Sequence, residues 1–271
     1  LKKIFSIKAE NVAAGNLLVI RLGNGHFSYA VCSGEGKVID ELGYYTLSEA
    51  LDENSLMQIY QQEDALRHQF DNTRIGLDFA ESVMVPAMQA SNFPARAAIE
   101  LQYGQPGPVE YRSETIRGWQ LNNHYAVPAG ILQWLQTHFA NALFTQGYSA
   151  DLCRVEGTDF EGALSLDFRA EEFTVIASRS NKLLLTQTYP YENPADVLYY
   201  LLRLAQEFGF SQQEVRVYLS GLIEKESSLY RELYQYFIHV RFREAAWQFP
   251  DSSELLPAHY FAALYDLAQC G

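Results

Sequence analysis

Apolar and polar residues alternate through residues 17–45 in three runs separated by turn residues. Residues 17–22 are apolar apart from Arg21 and end at Gly23-Asn24-Gly25. Phe27, Tyr29 and Val31 then alternate with His26, Ser28 and Ala30, and Ser33-Gly34-Glu35-Gly36 turns the chain into residues 38–45. A period of two predicts strands with one buried face, and Asn24-Gly25 predicts a two-residue type I′ hairpin, in which both positions need positive φ. The pattern then returns. Residues 18–45 lie on residues 164–191 without a gap, at a constant offset of 146 positions. Leu18 falls on Leu164, Ile20 on Leu166, Leu22 on Phe168, Phe27 on Phe173, Ser28 on Thr174, Val38 on Leu184, Ile39 on Leu185 and Tyr45 on Tyr191. Such a repeat predicts two related domains, with a cleft between them as the expected place for binding.

The pattern after each repeat is helical and then mixed. Thr46-Leu47-Ser48-Glu49 reads as a capping box for a helix reaching about Phe70, with Leu56, Ile59, Tyr60 and Leu66 as its core face. Strands are expected at 74–79 and 83–85, with Pro86 opening a helix and a further helix at 128–144. Residues 93–125 read as a possible insertion, in which 109–111 and 115–121 form a hairpin or part of an irregular segment. In the second half, Asn193-Pro194-Ala195-Asp196 supplies an N-cap, a first-turn proline and an acid for a helix with Leu198, Leu201, Leu202, Ala205 and Phe208 on its buried stripe; Gly209 stops it. A strand at 215–219, a helix at 225–237, a strand at 239–242 and a helix at 257–269 follow. Each half is therefore three strands followed by alternating helix and strand, which predicts an α/β fold of two domains, each a five-stranded mixed sheet flanked by helices. The expected domains are residues 1–150 and 151–271.

Composition narrows the function classes. The 271 residues are 48% hydrophobic and 14% aromatic, enough to fill two cores. The formal net charge is −13, from 33 acidic and 20 basic residues. Phosphate-backbone binding depends on Lys and Arg, so this balance counts against nucleic acid and against an anionic membrane surface. Cys32, Cys153 and Cys270 show no CxxC spacing and support neither a disulfide framework nor a zinc site; small buried thiols in a reducing cytoplasm are expected. No apolar run approaches the ~20 residues of a membrane helix. The opening Leu1-Lys2-Lys3-Ile4-Phe5 turns polar too soon for a secretory signal, so the cytoplasm is the expected compartment.

The duplicated βββαβαβα order resembles the actin-like ATPase superfamily, with its sugar kinases, heat-shock chaperones and cytoskeletal actins, over nearly the whole chain. Ser82-Val83-Met84-Val85-Pro86 and His259-Tyr260-Phe261 look like an uncharacterised bacterial family within it. The chain also looks like degenerate members that act as cytoplasmic platforms in pilus and secretion assembly. In active members the first hairpin of each domain carries Asp-x-Gly followed by Thr or Ser. The Asp holds a Mg²⁺-bound water, the Gly opens backbone N–H groups to phosphate, and the hydroxyl adds a donor. Here the resemblance places Arg21, Gly23 and Ser28 in the first hairpin, beside Asn24, and Asp167, Arg169 and Thr174 in the second. The adenosine-binding Gly-Gly reads Ser220-Gly221. Each hairpin lacks one of the first two requirements, because a guanidinium cannot coordinate a metal and the Arg169 side chain stands where a phosphate would approach.

These substitutions predict no catalytic residues, no metal and no cofactor, and a non-catalytic protein-binding or scaffold module whose partner is another protein. The alternatives are a protein that binds a nucleotide without hydrolysis, or another small anion, through direct contacts from Arg21 and Arg169, and an ATP-dependent enzyme using ATP with Mg²⁺. The favoured expectation is that both arginines pair with acids such as Asp167 or Glu171 across the cleft. No phosphate-binding GxxxxGK[ST] loop, GxSxG elbow or HxxxH spacing is present. His138, on an amphipathic helix, is expected to be structural. Tyr44-Tyr45 and Tyr199-Tyr200 are expected in cores and rims, although 18 tyrosines would suit a binding surface.

Overall fold

A computed structural model of the chain describes residues 1–9, 16–153, 155, 161–248 and 256–270. The chain divides into two compact units. The first holds residues 1–153, 247–255 and 264–271; the second holds 154–246 and 256–263. The division near residue 150 separates the two sheets, but the residues from 264 onward, placed with the second half by the sequence, pack with the first unit.

In the first unit the strands are β1 (Lys2–Lys8), β2 (Leu17–Gly23), β3 (His26–Ser33), β4 (Val38–Thr46), β5 (Asn72–Leu77) and β9 (Ala142–Gln146), in the order β1-β4-β3-β2-β5-β9. In the second unit β10 (Ala163–Phe168), β11 (Glu172–Arg179), β12 (Lys182–Pro190), β13 (Arg216–Gly221) and β14 (His239–Phe242) run in the order β12-β11-β10-β13-β14. Removing β1 makes the two orders equivalent, with antiparallel hairpin strands on one side and parallel strands on the other. The expected five-stranded mixed sheet is therefore found in both units, and the first carries one further edge strand.

The first hairpins match in register as well as in sequence. Leu18 pairs with Val31 and Leu164 with Ala177, which keeps the offset of 146 through both strands. Leu18, Ile20, Leu22, Phe27 and Tyr29 line one core; Leu164, Leu166, Phe168, Phe173 and Val175 line the other. The third strands do not keep the offset. Phe27 faces Tyr45, whereas Phe173 faces Tyr189 and not Tyr191. The cause is the preceding turn. Gly34–Gly36 forms a short 3₁₀ turn between β3 and β4, while only Ser180 and Asn181 separate β11 from β12. Ser180 and Asn181 have φ of 49° and 60°, as a type I′ turn requires. The Asn24-Gly25 turn, expected to be of that type, has no positive φ. In the first sheet β3 is buried on both faces, not the one predicted from alternation, since His26, Ser28 and Ala30 are as enclosed as Phe27 and Tyr29.

Several local expectations needed correction. Thr46 and Glu49 do not cap a helix: Thr46 ends β4, and α1 (Glu53–Gln62) begins at Asp52, whose carboxylate accepts from the Ser55 N–H at 2.8 Å. Pro86 closes β6 (Ser82–Pro86) and is followed by a 3₁₀ segment. The region read as an insertion contains α2 (Ala95–Tyr103) and a full hairpin of β7 (Val109–Ile116) and β8 (Leu121–Pro128), which joins β6 in a separate sheet ordered β6-β8-β7. The single helix expected at 128–144 is α3 (Ala129–His138) followed by β9, and α4 (Gly147–Leu152) follows directly. In the second unit α5 (Pro194–Phe208) has the predicted capping box, with Asn193 accepting from Ala195 and Asp196, and ends on Gly209 at φ 62°. The helix α6 (Ser228–Tyr236) precedes β14, and α7 (Ala262–Gln269) closes the described chain.

Candidate functional site

Ligands of open α/β sheets bind outside the carboxyl ends of the parallel strands. In the first unit these are the ends of β2, β5 and β9, where Arg21 lies, 3% exposed. Its Nε donates to Asp78 Oδ2 at 2.7 Å; Nη1 and Nη2 donate to the two oxygens of Asp151 at 2.7 and 2.9 Å. His26 Nε2 meets the same Asp78 oxygen at 2.9 Å. Burial alone would oppose the charge on Arg21, but Asp151 and Asp78 outweigh it and hold the guanidinium pKa well above its ordinary value.

The backbone closes tightly round this cluster. A Cβ on Gly147 would lie 1.8 Å from Asp78 Oδ1 and 3.2 Å from Arg21 Nη2, so only glycine lets the start of α4 approach. Gly23 is pressed against the Asp78 carbonyl, where a Cβ would come within 2.8 Å. Ser28 Oγ donates to the Arg21 carbonyl at 3.3 Å, and Asn24 occupies the hairpin turn beside Gly23. Next to the cluster a polar network fills the end of β9. Gln146 Oε1 accepts from Asn123 and from the Tyr148 N–H, its Nε2 donates to the Phe79 carbonyl, and its own N–H donates to Glu114. Burial pushes the Glu114 carboxyl above the usual range, against the hydrogen bonds from Ser149 and Gln146.

The equivalent point of the second unit is built differently. Asp167 stands at the position of Arg21, half-buried, and accepts from Ser220 Oγ at 2.9 Å across the parallel pair of β10 and β13. Ser220 Oγ also lies 3.1 Å from the Leu166 carbonyl and 3.5 Å from Arg243 Nη2. Arg169, 6% exposed, donates to Glu172 Oε1 at 3.0 Å and to Thr174 Oγ1 at 3.2 Å; Thr174 in turn meets Thr188 at 2.9 Å. Gly221 has φ +78°, and a Cβ there would lie 2.1 Å from the Phe168 carbonyl oxygen. The backbones of β10 and β13 therefore meet closely just beyond Asp167.

All eight sequence candidates thus lie at strand ends or turns of their own unit. Arg21, Gly23 and Asn24 gather in the first; Asp167, Arg169, Thr174, Ser220 and Gly221 gather in the second. Both arginines are held by acids of their own unit: Arg21 by Asp78 and Asp151, and Arg169 by Glu172. Asp78 and Asp151 were missed because they lie 57 and 130 residues from Arg21 along the chain. Gly147, at the start of a short helix, and Gly23 were local signals of a close approach. His138 is structural: it stacks on Trp134 and hydrogen-bonds its carbonyl at 2.8 Å. Of the cysteines only Cys32 is fully buried, its thiol pushed up to about 12 by burial and Asp40. Cys153 is exposed and Cys270 half-buried, so the expectation of three buried thiols fails for these two. Among the described residues no group of three His, Cys, Asp or Glu is placed to hold a metal ion.

Two sheets of the same order, with paired polar sites at the carboxyl ends of their parallel strands, define a mixed α/β protein of the actin-like ATPase fold. Solved structures agree. A protein of that fold and unknown function from Bacteroides thetaiotaomicron VPI-5482 superposes with a TM-score of 0.73 at 15% identity, covering 95% of this chain and 97% of that one. The PilM component found with PilN in a type IV pilus biogenesis complex represents a second neighbour, with TM-score 0.61, 16% identity and coverage of 94% and 98%. The ethanolamine utilization protein EutJ from Carboxydothermus hydrogenoformans gives 0.54 at 9% identity, covering 97% and 93%. The chain belongs to the DUF3822 family, a protein family of unknown function whose sequence model matches residues 8–240. No curated protein matches it.

Proposed function

We propose that this protein is a non-catalytic member of the actin-like fold that works in the cytoplasm as a protein-binding or scaffold module. The observation that carries this reading is the Arg21–Asp78–Asp151 cluster. Arg21 occupies the position at which the family resemblance expects the Mg²⁺-organising carboxylate, and both neighbouring acids are engaged by it. A cation with its own buried counterions does not fit a magnesium–phosphate group. In the second unit Asp167 remains, but Arg169 stands where a glycine would open the backbone to phosphate.

Protein binding has separate support. Tyr199 on α5, Tyr234 and Tyr236 on α6, and Ile238 just beyond are 42–58% exposed. Exposed tyrosines of this kind are enriched in protein interfaces. Among the described residues no helix is long and apolar enough to cross a membrane. The pilus-biogenesis neighbour was solved as a PilM–PilN complex, which offers a precedent for the fold as a binding partner.

The test is a thermal shift with Mg-ATP, ADP and GTP, alongside phosphate release. A ligand at a hundred times its dissociation constant stabilises the native state by ~2.7 kcal/mol, which raises the melting point by several degrees at roughly 2–4 °C per kcal/mol for domains of this size. We expect no shift and no turnover. Phosphate release lost in Asp167→Asn would replace the scaffold reading with an ATP-dependent enzyme. A shift abolished by Arg169→Ala, in a variant that keeps the wild-type melting point without ligand, would replace it with a nucleotide sensor.

A further inference from the structure

We propose that Cys153 and Cys270 form a disulfide on two-electron oxidation, fastening the end of α7 to α4 in the first unit. Cys153 caps the carboxyl end of α4, and its thiol donates to the Ser149 carbonyl at 3.2 Å. Cys270 follows α7, and its thiol donates to the neighbouring Ala150 carbonyl at 3.6 Å. Both sulfurs are therefore directed at adjacent carbonyls of one turn of one helix, which sets the two thiols side by side. Each backbone is fixed there: the Cys153 N–H bonds Ser149 and Ala150, and the Cys270 N–H bonds Asp266 and Leu267. Arg74 holds the last turn of α7 through the Leu267 and Ala268 carbonyls. Sulfurs that meet neighbouring carbonyls of one helical turn reach the ~2.05 Å disulfide length by side-chain rotation. Cys32 does not compete, being fully buried in β3.

The exposed Cys153 is the entry point. With hydrogen peroxide as oxidant, the Cys153 thiolate attacks one oxygen; the S–O bond forms, the O–O bond breaks, and the leaving hydroxide takes up the proton the thiol released and departs as water, giving a sulfenic acid. The Cys270 sulfur then attacks that of Cys153; the S–S bond forms, the S–O bond breaks and a second water leaves. Two thiols are oxidised and one peroxide is reduced to two waters. The hydrogen bond from Cys153, burial, and the charges of Asp266 and Asp151 push the Cys270 thiol upward. That setting disfavours the Cys270 thiolate, so the reaction is slow, and the dithiol form is not stabilised in the way that makes some disulfides strongly oxidising. The stretch between the two cysteines contains the whole second unit, so the bond would close a covalent loop that includes it.

The full chain, treated with hydrogen peroxide and quenched, should show its three thiols fall to one in denaturant. Non-reducing digestion should yield one Cys153–Cys270 peptide pair. The melting point should rise on oxidation and return with dithiothreitol, and the bond should survive millimolar reduced glutathione. Cys153→Ser and Cys270→Ser should each keep two titratable thiols and show no oxidative rise in melting point. A stable sulfenic or sulfinic acid on Cys153 beside a free Cys270, a link to Cys32, or a link between chains would overturn the proposal. Reduction by glutathione at the same concentration would overturn it as a stable fastening.

Discussion

The two units share the order of five strands, the register of the first hairpin and the apolar positions that face their separate cores, and differ most in what stands at the carboxyl ends of β2 and β10. In the first unit it is a buried cation with two carboxylates; in the second it is a half-buried carboxylate with a hydroxyl. The apolar positions of the repeat are tied to the fold, because each faces a close-packed core. The polar positions at the strand ends are not tied in that way, and here they carry opposite charge on the same backbone. The edges differ too. β4 is covered by β1, whereas the equivalent β12 is the last strand of its sheet among the described residues. A duplicated fold can therefore keep its architecture while its two sites diverge in chemistry.

The sharpest way to break this comparison is to remove the charge from each site. Arg21→Met leaves Asp78 and Asp151 buried without their cation, and should cost about 3–5 kcal/mol in urea unfolding. Asp167→Asn, at the matching position, removes a partly solvated carboxylate whose hydroxyl partner can still bond an amide, and should cost less than about 1 kcal/mol. Equal costs would mean that the two sites are not built as differently as their geometry indicates.

A second contrast concerns the backbone. Gly221→Ala forces a Cβ into positive φ and against the Phe168 carbonyl, and should lower stability by about 2–3 kcal/mol. Gly25→Ala, with open space around its Cβ and no positive φ, should change it by less than about 0.5 kcal/mol. The same urea titrations read both.

The smallest effect expected is a pH dependence confined to the first unit. Glu63 is 6% exposed and accepts from Tyr29 Oη at 2.7 Å, from Tyr45 and from Lys3 at 2.6 Å. Burial opposes its charge, but the hydrogen bonds from Lys3, Tyr45 and Tyr29 prevail and hold its pKa below the ordinary 4.5. A carboxyl depressed in the folded state binds fewer protons there than in the unfolded one. Its stabilisation is thus complete above pH 4.5 and is lost as pH falls through the lower folded value. The stability gap between wild type and Glu63→Gln should be constant near neutrality and shrink below pH 4.5. A gap that widens on acidification would reverse the assigned direction.

Much of the fold was legible because its signals are local. The period of two, the capping box at Asn193 and the stop at Gly209 each depend on neighbouring residues, and each appears where the pattern put it. Thr46 failed as a cap because β4 continues through it, paired to β3 and β1. The helix predicted over 128–144 failed because pairing with β5 draws residues 142–146 into the sheet.

The sequence by itself determined the duplication, the apolar positions that face each core and the identity of the eight strand-end residues, while the burial of the second face of β3 came from tertiary packing. Hydrophobic periodicity records which face of a strand is buried wherever that strand ends up. Only the tertiary structure decided what those strand-end residues do. A salt bridge between Arg21 and Asp151 leaves no trace in spacing, since any of 33 acidic residues could have met that guanidinium. The two-residue slip of the third strands was likewise set by turn length and the pairing it permits. Charge partners and register are properties of chain segments meeting in space, and here they separate two units that the sequence presents as copies.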